Sequence, residues 1–159
     1  MIWGALSGGV AGTLVLTTAL RAASELRLTR IDIPFLLGTA LTEQRVRAKA
    51  FGYVLHFVFG IVFALGYWAI FTAIGESGWW LGAVFGLAHG LFGASALVNV
   101  LLPLVHPRMA TPLTAATSTP LIEPPGFLML NYGRSTPAVT LASHVAYGAI
   151  VGGFASLAA

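Results

Sequence analysis

The stretch 50–102, AFGYVLHFVFGIVFALGYWAIFTAIGESGWWLGAVFGLAHGLFGASALVNVLL, decides the fold. It holds one charged residue, Glu76, inside a Gly75-Glu76-Ser77-Gly78 turn that divides it into two apolar runs. Each run is long enough to cross a hydrocarbon core about 30 Å thick, which takes about 20 helical residues at ~1.5 Å apiece. Backbone groups find no water in that core, so a crossing segment is either a helix or a strand of a closed barrel. Apolarity here is continuous rather than alternating, which selects helices. The expectation is a helical hairpin of two spans, 50–74 and 79–102, with Trp79 and Trp80 at headgroup level.

Working outward, Ile2 to Leu20 is a third uncharged run and Ala138 to Leu157 a fourth. The first has no basic region ahead of it and is longer than a signal-peptide core, so it is expected to be a retained span, about 2–20. Between the spans lie a charged loop, 21–49, and a proline-rich loop, 103–137, with Pro103 and Pro107 expected to stop the third span. Within the first loop, Ile33-Pro34-Phe35-Leu36-Leu37 is too short to cross and is expected at the interface. The fold class expected is therefore all-α: one polytopic membrane domain, 1–159, of about four transmembrane helices, with a long Pro-rich loop before the last.

Composition agrees. The chain is 57% hydrophobic and 8% charged, where soluble domains carry about 25% charged residues. Eight Lys and Arg against five Asp and Glu are too few for a nucleic-acid surface. All eight basic residues fall in the two longer loops, so those loops are expected in the cytoplasm of a bacterial inner membrane, with both termini and the Glu76 turn outside. Cysteine is absent, which removes disulfides, thiolate metal sites and cysteine nucleophiles.

Small residues recur at four-residue spacing in every span: Gly4, Gly8 and Gly12; Gly52, Gly60 and Ala64; Gly82, Gly86 and Gly90; Gly148 and Gly152. Such rows are expected to be packing faces, because small residues let helix backbones approach in lipid. His56 and His144 fall on two of these rows, each six residues inside its span from the same end. An ionisable residue at such depth is a functional candidate, His89 nearer the membrane middle included. Thr17 and Thr18 of the first span and Asn99 of the third lie at a comparable level and complete a polar layer.

Two same-depth imidazoles with glycines beside them suit haem b or another tetrapyrrole, whose iron takes histidine ligands. Hydrogen bonds to neighbouring helices are the simpler use for both rings. In the second loop, Phe127 to Tyr132 is expected at the cytoplasmic interface, where Arg108, Asn131, Tyr132 and Arg134 would contact anionic lipid or a partner; His106 is expected to be exposed. Arg30 and Asp32, near neighbours, are expected to pair. Zinc-hydrolase, phosphate-loop and nucleophile-elbow motifs are missing, and the carboxylates occur singly, so catalysis has little to stand on.

The stretches Ile31–Gly38, His106–Ala110 and Glu123–His144, above all Pro125-Gly126-Phe127-Leu128 through Asn131-Tyr132-Gly133-Arg134, resemble uncharacterised small four-helix bacterial integral membrane proteins. That resemblance implies architecture and carries no activity or cofactor with it. The functional expectation is a non-catalytic accessory or structural subunit that sits in the lipid bilayer and packs on other membrane subunits or on itself. The alternatives are a haem- or tetrapyrrole-binding subunit in electron transfer or light harvesting, and a small oligomeric transporter or channel.

Overall fold

In the computed structural model, which describes residues 2–110 and 122–157, the chain is a helical bundle with no strand among the described residues. Four helices are long and apolar enough to cross a membrane: α1 (Ile2–Glu25), α3 (Arg45–Ile74), Trp79–Val105, and α6 (Thr136–Leu157). Between the first two lies a short helix, α2 (Ile33–Gly38). The third long helix is composite: α4 (Trp79–Phe92), a π-helical stretch (Gly93–Leu101) and α5 (Leu102–Val105) run on without a break.

The helices overrun the boundaries expected from the sequence. Those boundaries stop at the first charge, but Arg21, Arg45, Arg47 and Lys49 stay helical because long basic side chains keep their heads in water while the backbone continues its own hydrogen bonding. Pro103 does not end the third helix; the helix runs through it and stops at Val105, where His106 turns extended. Proline lacks the N–H that would complete a helical bond and crowds the preceding turn. The π-helical stretch just before it has already loosened that turn, and Pro103 enters as one of the first residues of α5. Asn99 bonds back to the carbonyls of Ala94 (3.2 Å) and Ser95 (2.8 Å), serving main-chain acceptors within the π stretch.

Backbone-to-backbone packing follows the glycine rows. A β-carbon at Gly82 would overlap the Gly148 carbonyl, one at Gly148 the Gly82 carbonyl, and one at Gly86 the His144 carbonyl, so α4 and α6 touch main chain to main chain. Gly8 and Gly12 set α1 against Val151 and Tyr147 of α6, while Gly9 and Gly60 join α1 to α3. The order around the bundle is thus α3, α1, α6, α4. The ring closes differently: α3 and α4 follow each other in the chain yet do not pack closely by backbone. Aromatic side chains bridge them, with Phe71 stacked on Phe85 (5.5 Å between centroids) and Phe63 against His89 (3.8 Å). The Gly75–Gly78 turn lies at the same end as the start of α1 and the last turns of α6, since Gly152 packs on Gly78 and Gly8 on Val151.

At the opposite end, α2 lies across α3. Asp32 caps it by accepting from the Phe35 N–H (3.0 Å), with Pro34 in its first turn. Gly52 gives way to the Pro34 carbonyl and Gly38 to that of Ala48. The 33–37 segment expected at an interface is therefore a helix held on the bundle. The expected proline-rich loop falls in part on residues 111–121, outside the described residues. On either side of them, Ala110 and Ile122 are joined by a backbone hydrogen bond (3.1 Å), and 122–135 returns as a strap to α6.

Candidate functional site

Three of the four histidines, His56, His89 and His144, line one space inside the bundle. On α6, Thr140, His144 and Tyr147 share a face, as residues three and four apart must. The His144 Nδ1–H donates to the Thr140 carbonyl (2.8 Å), which leaves Nε2 on the side of Gly93. His89 of α4 meets His144 edge to face, with 4.9 Å between centroids, and its Nδ1 hydrogen-bonds the Tyr67 hydroxyl (3.3 Å). His56 of α3 bonds through Nδ1 to the Thr17 hydroxyl (3.3 Å), and Thr17 in turn donates to the Thr13 carbonyl (2.6 Å). Tyr147, fully buried, donates its hydroxyl to the Gly60 carbonyl and so ties α6 to α3.

Thr13, His56, His89, Thr140, His144 and Tyr147 line a cavity of about 570 Å³ in the gap that the wide α3–α4 spacing leaves. Its walls are apolar: Leu16 and Leu20 of α1, Phe59 and Phe63 of α3, Leu97, Val98 and Leu101 of the π-helical stretch, and Met129 of the strap. Several wall residues, among them Phe59, Val62, Leu104 and Val105, are also exposed on the outside of the bundle, so the chamber opens sideways. Beyond His89, Tyr67, Phe71 and Phe85 fill the seam towards the Gly75 turn.

A second cavity, about 700 Å³, opens at the α2 end between α1 and α3. Arg21, Arg27, Arg30, Arg45 and Lys49 line it together with Glu25 and Asp32. Glu25 is held by Arg21 (2.7 Å) and Asp32 by Lys49 (3.0 Å). Arg30 reaches across to the strap, to the Asn131 carbonyl (2.5 Å) and to Glu123 (3.4 Å). The expected Arg30–Asp32 pair is corrected accordingly: Arg30 is taken up by the strap and Asp32 by Lys49 of α3, so each finds its partner on another element.

His106 is buried, not exposed. Its Nδ1 accepts from the Arg108 N–H (3.2 Å), so Nε2 carries the proton and donates to the Leu36 carbonyl (3.1 Å), with the Thr39 hydroxyl at 3.3 Å. Burial beneath α2 holds its pKa below the usual imidazole value. Nothing in the Leu104–Pro107 sequence signals this, because the cover comes from α2, some 70 residues earlier.

Of the remaining expected site residues, Thr17 sits with His56 while Thr18, one residue further round the helix, is exposed on the outer face. Asn99 serves its own helix rather than the chamber. Arg108 bonds Glu43 (3.2 Å) and the Thr39 carbonyl (2.7 Å). Asn131 closes the strap on the Pro124 carbonyl (2.8 Å), and Tyr132, donating to the Glu123 carbonyl (2.7 Å), has its pKa pushed up to about 12 by burial first and by Glu123 second. Arg134 is exposed. The structure thus gathers His56, His89 and His144 at one chamber, ties Arg108 to the segment after α2, and spends Asn131 and Tyr132 on holding the strap together.

Sequence reasoning missed Tyr147, Thr13 and Met129. The first two were legible in principle, being three residues after His144 and four before Thr17; Met129 enters the core through left-handed Leu128 and Met129, which no local pattern announces. Among the described residues no three His, Asp or Glu side chains converge as a metal-ligand set. Searches against protein-family models, curated proteins and solved structures gave no significant match, so the site is known by its geometry.

Proposed function

We propose that the chain is a non-catalytic, multi-pass protein of a bacterial inner membrane that holds a lipophilic small molecule in the chamber between α3 and the third long helix. The observation that carries this reading is the contrast between interfaces: three are closed by glycine contacts, while the fourth is kept wide and lined by apolar side chains with imidazoles at its inner end. A volume of about 570 Å³ lies within the ~300–1,000 Å³ of small-molecule sites. The aromatic fill beyond His89 favours holding a ligand over conducting one in a single chain.

The test is purification in a mild detergent followed by extraction and mass spectrometry of what travels with the protein. One lipophile at near-stoichiometric ratio is expected, and Leu97→Trp, which fills the chamber, should deplete it at least fivefold while thermal unfolding shows that the bundle remains intact. Equal retention by both proteins, or none by either, overturns the reading. An accessory or structural subunit is the outcome in which another protein's helix fills the opening and co-purifies.

A tetrapyrrole is a second reading with its own support. A metal-ligating histidine usually gives its other ring N–H to a carbonyl or carboxylate, which is how His144 is held. Edge-to-face contact with His89 leaves no room for a macrocycle between those two rings, so His144 would be paired with His56 or act alone. The same preparation, made from cells supplied with haem, should show a Soret band if haem is the ligand; its absence eliminates haem.

A further inference from the structure

We infer that the ligand is an anionic amphiphile, with a phosphate or carboxylate head in the basic cavity at the α2 end and one apolar chain in the histidine-lined chamber. This rests on the chamber reading above and adds the chemistry of the head. Two features of the structure carry it: continuity and charge.

The two cavities are continuous in their walls. Leu20 of α1, Ile33 of α2 and His56 of α3 line both, so the basic mouth and the apolar chamber meet at one boundary. His56, held by Thr17, stands at that boundary and presents its ring to either side. From Val105 to His89 the chamber wall runs back along one helix, a length on the order of 20 Å at ~1.5 Å per α-helical residue and less through the π-helical stretch, which suits an extended chain.

Charge separates the two ends. The mouth has five basic side chains and two carboxylates, and both carboxylates are already engaged by Arg21 and Lys49. Arg30 is drawn away to the strap. Arg27 and Arg45 have no acidic partner among the described residues, and Arg45 lies over the Phe35 ring at 5.8 Å from its centroid. A concave surplus of guanidinium groups calls for an anion, and guanidinium recognises phosphate or carboxylate through paired N–H donors. The chamber beyond His56 offers no charged side chain, so a second charge on the ligand has nowhere to go.

The test uses full-length protein in phosphatidylcholine nanodiscs and two photo-crosslinking probes of equal chain length, a diazirine-bearing dodecyl phosphate and the corresponding dodecanol, with labelled residues mapped by mass spectrometry. Dodecyl phosphate should label chamber residues such as Leu97 and Met129 saturably, at a concentration at least tenfold below that of dodecanol. The double variant Arg27→Gln/Arg45→Gln should abolish this advantage while leaving dodecanol labelling unchanged, which shows that the variant is folded and its chamber intact. Excess inorganic phosphate should compete poorly, because it lacks the chain. Equal saturation by the two probes, or an advantage that survives the double variant, overturns the anionic head and leaves the chamber reading standing. Labelling by neither probe overturns both. Full competition by inorganic phosphate would make the mouth a site for the free anion and overturn the amphiphile.

Discussion

His106 illustrates how one imidazole can be fixed in its neutral form by geometry. Its Nδ1 faces the Arg108 N–H, and a proton placed on that nitrogen would point at another proton. Burial is the larger reason for its depressed pKa, and the nearby Arg108 guanidinium, which also bonds Glu43, adds to it. The folded protein therefore binds fewer protons at this site than the unfolded chain does below pH ~6.5. The stability His106 contributes is complete above that value and is lost as pH falls through the lower, folded pKa. Thermal unfolding in detergent at pH 7.5 and 5.5 should show a larger loss on acidification for the wild type than for His106→Gln; parallel losses would contradict this. The sequence gives this residue no distinction from an interfacial histidine, because its burial depends on α2. The three chamber histidines were legible, since their depth and their spacing from glycines are written in the chain itself. Thr17 and Thr18 mark the limit of such reading: composition places a threonine in the polar layer, but only the phase of the helix, set by Gly9 and Thr13 against α3, says which.

At the level of elements, glycines that look alike in sequence do different work. A β-carbon at Gly82 would overlap a main-chain carbonyl of α6, which no rotamer change can relieve, whereas one at Gly66 of α3 would meet nothing within 4 Å. Gly82→Ala is expected to push α4 and α6 apart and destabilise the bundle by at least ~1–3 kcal/mol, the usual cost of overpacking. Gly66→Ala should be neutral or stabilising by up to ~1 kcal/mol, through helix propensity alone. Denaturation of the two variants in the same detergent checks the contrast, and comparable destabilisation of both would remove the assigned role of the glycine row. Four-residue glycine spacing is a face, and faces pack, so this part of the fold was open to reading. The π-helical stretch was not. It begins at Gly93 and ends just before Leu102 and Pro103, and the proline looked like a stop only because an undistorted α-helix would have to stop there.

For the whole molecule, the asymmetry of charge and the asymmetry of packing coincide. Every lysine and arginine, from Arg21 through Lys49 to Arg108 and Arg134, lies at or near the α2 end or in the segments that fasten there, and the Gly75–Gly78 turn at the other end has none. The proposed basic mouth is at the α2 end as well, so the direction of insertion decides which compartment the ligand's head would face. Positive loops are retained on the cytoplasmic side during insertion, and on that rule the proposed orientation has α2, the strap and the mouth in the cytoplasm and both termini outside. An alkaline phosphatase fused after Ser77 should therefore be active in intact bacteria and one fused after Glu43 inactive, with a fluorescent protein at the same positions giving the reverse pattern. The same sign from both positions would break the hairpin of α3 and α4. Opposite signs in the reversed sense would turn the molecule over, and the head of its ligand would then have to be drawn from the outer leaflet.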